Sequence, residues 1–424
     1  MNTLGKQSKT DVWNGNMALW WSVVATFLLK MSAGQQVDHI LRQSTSCQKD
    51  TPSGDFGFYF DGDEIFYVDL DIKEVEYKLP EFQKFFFFEA QLGLQALSAC
   101  HFNLDIYIKR SKGISGPKVP PKVKLYPSRP VELGKSSTLI CHADGFFPSV
   151  LNISWSKNGT PLEEGITITD FYPGKEFTFE RFSYLTSIPD GGDIYSCTVE
   201  HPALDQPNAV FWQAEKTFVH ENGTVSLSIH KKLKGIYLYQ TIVDCFYMNN
   251  GETVILIKTI IYNKERQLFF DSRVGKFIGI TENGKIDAEY FNNNTEYLDQ
   301  LKAEVTTFCR HNYDIMKDVI VGRKVIPRIT VHPQRNVVEK HPNLLMCVTS
   351  GFYPQRIRVT MLKNGEEVTH DISSSGVVSN GNWTYQITLL IEFIPKKEDV
   401  YGCKVEHSSL KEPVIVEWRM EAYN

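Results

Sequence analysis

The pattern of apolar and polar positions alternates between segments that predict strands and segments that predict helices. The runs at residues 56–60 and 63–68, both rich in aromatic residues, flank Asp61-Gly62, a pairing typical of a β-hairpin. Apolar positions at helical spacing then predict a helix over about residues 88–110: Ala90, Leu94, Leu97, Leu104 and Ile108. A later strand-rich stretch is followed by a second such set, which predicts a helix over about residues 292–312: Leu298, Leu301, Val305 and Phe308.

The segments that follow the two predicted helices repeat each other. Cys141-His-Ala-Asp-Gly-Phe-Phe-Pro148 matches Cys347-Val-Thr-Ser-Gly-Phe-Tyr-Pro354. Tyr195-Ser-Cys197-Thr-Val-Glu-His201 matches Tyr401-Gly-Cys403-Lys-Val-Glu-His407. Both cysteine couples are 56 residues apart. A repeat of this kind indicates two copies of one domain.

Each repeat has the pattern of an immunoglobulin sandwich. Short alternating runs are separated by turn residues, and Tyr195 and Tyr401 stand two residues before the second cysteine, where a tyrosine corner belongs. Trp155 has the position of the ring that packs on the disulfide between the sheets. Met361 replaces it in the second repeat. Methionine fills the space with less ring area, so we expect a folded but somewhat weaker second sandwich.

Composition excludes several classes of protein. The chain has 424 residues, of which 42% are hydrophobic, so it can bury substantial cores and is not disordered throughout. The net charge of −5 is small for this length and gives no argument for nucleic acid as a partner. The acidic cluster Asp61-Gly-Asp63-Glu64 lacks the spaced oxygen ligands of a calcium loop, so we interpret it as a turn.

The cysteines indicate an oxidising compartment. All eight are spread along the chain and form four well-separated couples in sequence order, without the C-x-x-C spacing of zinc or redox sites. We therefore predict four structural disulfides and no metal site. The predicted pairs involve Cys47, Cys100, Cys141, Cys197, Cys245, Cys309, Cys347 and Cys403.

A leader and several sequons agree with export. Residues 17–29 form a short apolar run before small residues 32–34, which is typical of a signal peptide. The long stretch before Met17 is consistent with an upstream start codon. No later apolar run reaches about 18 residues, so we expect a soluble mature product as written. Five asparagines begin N-x-Ser/Thr sequons: Asn152, Asn158, Asn222, Asn293 and Asn382.

Specific motifs in the two non-repeated segments resemble a known family. The run Phe58-Tyr-Phe-Asp-Gly-Asp-Glu-Ile-Phe66, with Phe88-Glu-Ala-Gln91 and residues 103–111, resembles the groove domain of an MHC class II alpha chain. Asp287-Ala-Glu-Tyr290 and Cys309-Arg-His-Asn-Tyr313 resemble the beta-chain groove domain. The resemblance continues through both sandwiches, alpha-type before beta-type, over roughly residues 37–215 and 236–420.

The resemblance implies an α+β fold, in which an MHC class II-like peptide-binding platform of two half-sheets and two helices stands on two C1-type immunoglobulin β-sandwiches. It implies domains at 35–117, 118–212, 236–324 and 325–424, after a signal peptide and extension at 1–34 and with a linker at 213–235. It also implies that Cys245–Cys309 ties a strand to a helix. The couple Cys47–Cys100 would join a floor strand to the first helix, as in only some members.

The resemblance also assigns peptide contacts. The positions that match are Gln43, Phe87, Asn103, Arg110, Phe291, His311 and Asn312. Such polar groups hold peptide main chain, while pockets between them recognise side chains. Two departures weaken main-chain capture, by on the order of 2–3 kcal/mol: Ala96 replaces an Asn, and Phe291 replaces a Trp. The Phe85–Phe88 run reads equally as a half-buried edge or as a contact surface.

The expected function is that of an antigen-presenting receptor. Its implied partners are peptide antigen, T-cell receptor, helper coreceptor and invariant chain, and its implied location is the cell surface or endosomes after passage through the secretory pathway. One alternative is a class II-like peptide-exchange chaperone. Another is a secreted immunoglobulin-type adhesion protein, which would have no groove. No nucleotide loop, metal-spaced pair or nucleophile motif argues for an enzyme or a cofactor.

The order of the two halves leaves their pairing open. The linker at 213–235 could extend roughly 70 Å at about 3.3 Å per residue, which is enough for the halves of one chain to pair. A domain-swapped dimer satisfies the same pattern. A joined gene model of two adjacent genes is a third explanation.

Overall fold

The computed structural model describes residues 36–49, 54–214, 223–224 and 235–420. The leader-like residues 17–29, the sequon at Asn222 and most of the predicted linker lie outside the described residues. Within that linker, strand Gly223–Thr224 pairs with Asn208 and Ala209. Gln213, the first residue of the predicted linker, is the last residue of strand Asn208–Gln213.

A single antiparallel sheet of eight strands forms a platform. Its strands are β1 (His39–Gln48), β2 (Gly54–Phe60), β3 (Asp63–Asp69), β4 (Glu74–Tyr77), β5 (Leu238–Met248), β6 (Thr253–Tyr262), β7 (Glu265–Asp271) and β8 (Lys276–Gly279). Their order is β8-β7-β6-β5-β1-β2-β3-β4, so the two halves of the chain meet at the pairing of β1 with β5. This seam runs the length of β1, from His39 opposite Tyr247 to Gln48 opposite Leu238.

The first half supports one wall of the platform with a continuous helix, α1 (Ala90–Arg110), which follows a 3-10 turn at Pro80–Lys84. The helix predicted from apolar spacing is therefore confirmed. Leu97 and Leu104 are buried against the sheet. The predicted hairpin is confirmed as well, because β2 and β3 flank Asp61 and Gly62, both with positive φ.

The second wall is longer than predicted and is broken into segments. It consists of α2 (Glu282–Asn292), α3 (Thr295–Glu304), a π-helical turn at Val305–Arg310, α4 (His311–Met316) and a further π-helical turn at Lys317–Val321. The break falls where the Asn294 side chain caps α3 by accepting from the Tyr297 N–H at 3.0 Å. Thr281 caps α2 in the same way. Apolar spacing reported the buried face, and these polar caps set where each helix begins.

Two sandwiches lie on the other side of the sheet, as the repeat predicts. The first has strands Lys122–Pro127, Ser137–Phe146, Asn152–Lys157, Thr160–Leu162, Ile166–Ile168, Tyr172–Pro173, Phe179–Ser187, Ile194–Glu200 and Asn208–Gln213, with a 3-10 turn at Lys175–Phe177. The second has Arg328–Pro333, Asn343–Phe352, Ile357–Lys363, Glu366–Glu367, Ile372–Ser374, Val378–Ser379, Tyr385–Phe393, Val400–His407 and Val414–Arg419.

All four predicted disulfides are formed. Cys141–Cys197 and Cys347–Cys403 join the two sheets of each sandwich. Trp155 lies opposite Cys197 in the first sandwich, and the fully buried Met361 lies opposite Cys403 in the second. Methionine therefore occupies the tryptophan position, as its place in the repeat indicates.

The two sandwiches share a turn that explains another part of the repeat. Asn158 and Asn364 both have positive φ and precede a glycine. The Asn158 carboxamide donates to Asp193 at 2.9 Å, and the Asn364 carboxamide donates to Asp399 at 3.0 Å. Asparagine tolerates this backbone conformation better than most residues and can bond locally, so both copies keep it.

Both sandwiches contact the first half of the sheet at β3. The Trp383 indole donates to the main-chain oxygen of Glu64 at 2.6 Å, and Tyr385 donates to the Asp63 carboxylate. From the first sandwich, Tyr172 donates to the Glu64 carboxylate at 2.6 Å. Among the helices in the described ranges, none combines the length and apolar character needed to cross a membrane.

Candidate ligand-binding groove

The space between the two walls holds two cavities that meet over the sheet. The smaller has a volume of about 420 Å³ and the larger about 650 Å³. Gln43 from β1 and Ala96 from α1 line both of them. The cavities therefore form a single groove, floored by the sheet and bounded by α1 on one side and by the α2–α4 segments on the other.

The smaller cavity, here called the aromatic cavity, is built from phenylalanines of both halves. Phe58 on β2 packs on Phe66 at 4.7 Å and on Phe88 at 5.6 Å between ring centroids. Phe308 from the second wall meets Phe58 edge-on at 6.0 Å. The Phe56 ring stacks on Phe88 at 5.3 Å. Such a surface favours a large apolar side chain and offers few hydrogen bonds.

The larger cavity, here called the polar cavity, is crossed by a hydrogen-bonded cluster. Asp287 on α2 accepts from the Tyr107 hydroxyl and from the Arg110 guanidinium, each at 2.6 Å. Both donors come from α1, so the contact joins the two walls. Burial, reinforced by the Asp287 carboxylate, raises the pKa of Tyr107 far above its ordinary value. Tyr107 therefore remains a neutral donor, and the two hydrogen bonds to Asp287 join the walls at this end of the groove.

A lysine stands on the floor of the polar cavity. Lys258 on β6 is half-buried and donates to the Tyr297 hydroxyl at 3.1 Å. The Tyr297 ring is held between Phe277 and Phe291, with centroid distances of 6.0 and 5.6 Å. Lys258 therefore has a neighbour fixed in position by aromatic packing.

The structure places all seven residues predicted to contact peptide in the lining of the groove. Gln43 lines both cavities, whereas Phe87, His311 and Asn312 line the aromatic cavity. The polar cavity is lined by Asn103, Arg110 and Phe291. Six of these residues come from β1, α1, α2 and α4, and Phe87 comes from the segment just before α1, so the tertiary structure brings them together.

Three of these side chains have environments that their sequence position did not indicate. Arg110 is engaged by Asp287 across the groove. The Asn312 carboxamide donates to the Phe308 main-chain oxygen at 2.7 Å, one turn earlier. Phe87 is 89% exposed. Within the Phe85–Phe88 run, Phe86 is buried and Phe88 half-buried, as expected for a half-buried edge. A contact role for this run stays a prediction.

Sequence reasoning did not identify several residues of the groove. Asp287 was noted only as part of a motif, and Tyr107 only lay within a predicted helix. The two residues are 180 positions apart in the chain, so no local signal links them. Lys258 and Tyr297 were also missed, because a lysine in a strand is most often a solvent-facing residue. Their proximity follows from placing α3 over β6.

The sequon asparagines within the described ranges are exposed. They are Asn152, Asn158, Asn293 and Asn382. The residue after Asn382 is the fully buried Trp383, which anchors that loop beneath the sheet. None of the four asparagines lines either cavity of the groove.

Comparison with known families matches every part of this architecture. The model of the class II histocompatibility antigen alpha domain matches residues 38–116, and that of the beta domain matches residues 224–317. The immunoglobulin C1-set domain matches residues 123–204 and 329–410. The order of matches is therefore alpha-type groove domain, sandwich, beta-type groove domain, sandwich.

Individual relatives match the chain as well. The HLA class II histocompatibility antigen DRB1 beta chain of Homo sapiens is 42% identical over 183 residues, which is 43% of this chain and 69% of the relative. The DLA class II DR-1 beta chain of Canis lupus familiaris is 42% identical over 179 residues, 42% of this chain and 67% of the relative. The H-2 class II E-D beta chain of Mus musculus is 42% identical over 179 residues, 42% of this chain and 68% of the relative. The chain thus belongs to the class II histocompatibility antigen family, whose members present antigens and are not enzymes.

Proposed function

We propose that the groove binds an extended peptide and displays it to T-cell receptors. The observation that carries this proposal is the continuous groove between two walls that stand on one sheet. With 21 residues, α1 is about 30 Å long at about 1.5 Å per residue. An extended chain rises about 3.3 Å per residue, so roughly nine residues of ligand fit between the walls.

Main-chain capture is assigned to the polar residues of the walls and floor. A carboxamide can accept from a peptide N–H and donate to a peptide C=O, which suits Gln43 and Asn103. Asn312 gives up its bond to the Phe308 oxygen when it donates to a ligand, so its net contribution is small. Ala96 borders both cavities and offers no hydrogen bond. The centre of the α1 wall therefore holds peptide weakly.

Side-chain selection is assigned to the two cavities. The aromatic cavity accepts a large apolar side chain, because its floor is formed by Phe56, Phe58 and Phe66. Burial of such a side chain stabilises the complex by roughly 1.5–3 kcal/mol. Phe87 and His311 lie at the rim of this cavity and are exposed, which suits contact with the ligand or with a receptor above it.

Assembly within one chain is part of the proposal. The seam between β1 and β5 extends over the whole of β1, and the Asp287 cluster joins the walls above it. Light scattering of the secreted protein should give the mass of a monomer with bound peptide. A stable dimer that dissociates only on unfolding would instead indicate exchange of the two halves between chains.

Export to the cell surface or to endosomes completes the proposed function. Four disulfides and exposed sequons suit the secretory pathway. We propose the T-cell receptor, a helper coreceptor and the invariant chain as the partners of this protein. Binding of each is measurable with the purified full chain.

Mass spectrometry of ligands eluted with acid from the full chain tests the proposal. We expect nested peptides that share a core of about nine residues. A groove that yields no peptide, in a protein that speeds peptide exchange on another class II receptor, would instead establish the exchange chaperone. If the chain neither yields peptides nor speeds peptide exchange, the remaining alternative is an adhesion protein.

A further inference from the structure

The side chains on the floor of the groove change from apolar to charged along one row of residues paired across the strands. Gln43 on β1 lies opposite Val243 on β5, which lies opposite Lys258 on β6. In the other direction, Gln43 lies opposite Phe58, and Phe58 lies opposite Phe66. Residues directly opposite each other in a sheet project from the same face. The row therefore passes from two phenylalanines to a lysine across the floor of the groove.

The lysine is the unbalanced charge of the polar cavity. The charged side chains that line this cavity are Arg110, Asp287 and Lys258. Arg110 and Asp287 form an ion pair at 2.6 Å and neutralise each other. Within the described residues, no carboxylate lies within 4.0 Å of the Lys258 ammonium. The cavity therefore carries one net positive charge.

The hydrogen bonds of Lys258 are also incomplete. An ammonium has three donors, and one of them is directed at the Tyr297 hydroxyl. That hydroxyl accepts from Lys258 and keeps its own proton as a donor. Tyr297 is fixed by Phe277 and Phe291, so its hydroxyl keeps its place beside the ammonium. Together the two groups present adjacent donors to the cavity, an arrangement that suits a carboxylate.

The cavity leaves room for such a group. Val243 and Thr241 on the floor and Ala96 and Ala99 on the α1 wall have short side chains. No large residue of the floor row stands between Gln43 and Lys258. A ligand chain running over Gln43 can therefore direct a side chain across Val243 towards the ammonium.

We propose that Lys258 and Tyr297 select an acidic side chain, Asp or Glu, at one position of the bound peptide. This inference rests on the proposed peptide binding and adds the class of side chain that the polar cavity takes. The aromatic cavity selects an apolar residue towards the opposite end. Ligands of this chain therefore combine an apolar anchor with an acidic one, in a fixed spacing set by the distance between the cavities.

A displayed library of 13-residue peptides with nine randomised central positions tests the inference. It is selected on the full chain and on the Lys258→Met, Lys258→Arg and Lys258→Glu variants. The wild type should enrich Asp or Glu at one position, and Lys258→Arg should keep that preference. Lys258→Met should abolish it, and Lys258→Glu should replace it with Lys or Arg. Lys276→Met, an exposed lysine on β8 outside both cavities, is the matched control.

A selected peptide then provides the measurement of affinity. Replacing its acidic residue with the neutral amide should weaken binding to the wild type about 10- to 100-fold, the range for a hydrogen bond between charged groups. The same replacement should change binding to Lys258→Met by less than about 3-fold. Loss of acidic selectivity only in Lys276→Met would contradict the assignment.

The outcomes separate this inference from the proposed function. Enriched peptides with an apolar anchor but without an acidic position would overturn the inference and leave peptide binding intact. An acidic preference that persists in Lys258→Met would also overturn it. A library that yields no binder to the wild type, while thermal melting shows a folded protein, would overturn both.

Discussion

Different interactions join the two halves of the chain at the two ends of the groove. At the aromatic cavity, the halves of the chain meet through ring contacts such as Phe58 with Phe308. At the polar cavity, they meet through the hydrogen bonds of Asp287 with Tyr107 and Arg110. Ring packing tolerates small shifts, whereas hydrogen bonds between charged groups require fixed distances. We infer that the polar end sets the spacing of the walls and that the aromatic end adapts to the ligand.

The two disulfides of the platform also differ between the two ends of the groove. Cys47–Cys100 ties α1 to β1, and Cys100 lines the polar cavity. Cys245–Cys309 ties the second wall to β5, next to Phe308 in the aromatic cavity. At the polar cavity, α1 is therefore fixed covalently to the sheet. At the aromatic cavity, the second wall is fixed instead. The remaining attachments are non-covalent, which makes the comparison testable by removing one group at a time.

Removal of the Cys47–Cys100 disulfide should have the largest effect. The double variant Cys47→Ala, Cys100→Ala should lower the free energy of unfolding by about 4 kcal/mol, because the closed loop restricts the unfolded chain. Denaturant unfolding measures this loss. Hydrogen exchange should quicken in α1 more than in the second wall, and the Cys245→Ala, Cys309→Ala variant should show the reverse. If hydrogen exchange quickened equally in both walls, each disulfide would not fix mainly the wall that it joins to the sheet.

Truncation of Phe58 should come next. This ring is buried and contacts Phe66, Phe88 and Phe308, so Phe58→Ala should destabilise the protein by about 3–4 kcal/mol. Phe58→Leu, which retains most of the apolar volume, should lose much less. Thermal and denaturant unfolding measure both. A loss below about 1 kcal/mol for the alanine variant would show that the aromatic end is not held by this packing.

Neutralisation of Asp287 should affect the polar end by a smaller amount. Asp287→Ala leaves Tyr107 and Arg110 without their acceptor, and Arg110 is partly exposed to solvent, so we expect a loss of about 1–2 kcal/mol. The rate at which a bound peptide dissociates from the groove should rise. Asp287→Glu should restore part of the effect, and the control Asp299→Ala removes a surface ion pair with Lys302 and should change little. Unchanged peptide dissociation would indicate that the walls keep their spacing without the cluster.

Counted per pH unit, the smallest effect should be a pH dependence of stability beneath the aromatic end. Burial raises the pKa of Asp63 to about 7, although the hydrogen bond from Tyr385 opposes the shift. The folded state therefore holds the proton more tightly than the unfolded state, whose pKa is near 4. Stability from this group is complete below about pH 4 and falls, by about 1 kcal/mol per pH unit, as the pH rises to about 7.

Urea unfolding at several pH values measures this dependence. In Asp63→Asn the slope between about pH 4 and pH 7 should be shallower than in the wild type by about 1 kcal/mol per unit. The difference between the two proteins isolates Asp63, because burial also raises the pKa of Glu64 and that of Asp170, the latter to about 7, in both. Parallel profiles would show that Asp63 does not carry the titration.

Local patterns were sufficient for most of the elements. The Asp61-Gly62 turn, the apolar spacing of α1 and the cysteine repeat each depend on residues close together in sequence, and the structure confirms them. The second wall was predicted too short, since apolar spacing reports a buried face, whereas side chains such as Thr281 and Asn294 fix where its helices begin. The seven residues assigned by family resemblance line the groove, and their contacts with peptide stay a prediction.

By itself, the sequence determined two repeated sandwiches, four disulfide couples, two helical walls and the family to which they belong. Beyond the seven residues assigned by resemblance, the tertiary structure alone decided which residues contact one another in the groove. Asp287 meets Tyr107 and Arg110, and Lys258 joins the row of Gln43, only when β1 pairs with β5 in one register. A shift of that register by one residue would turn Lys258 away from the row of Gln43 and Phe58, because side chains alternate along a strand. No local pattern encodes this register, because it depends on the packing of two segments about 200 residues apart.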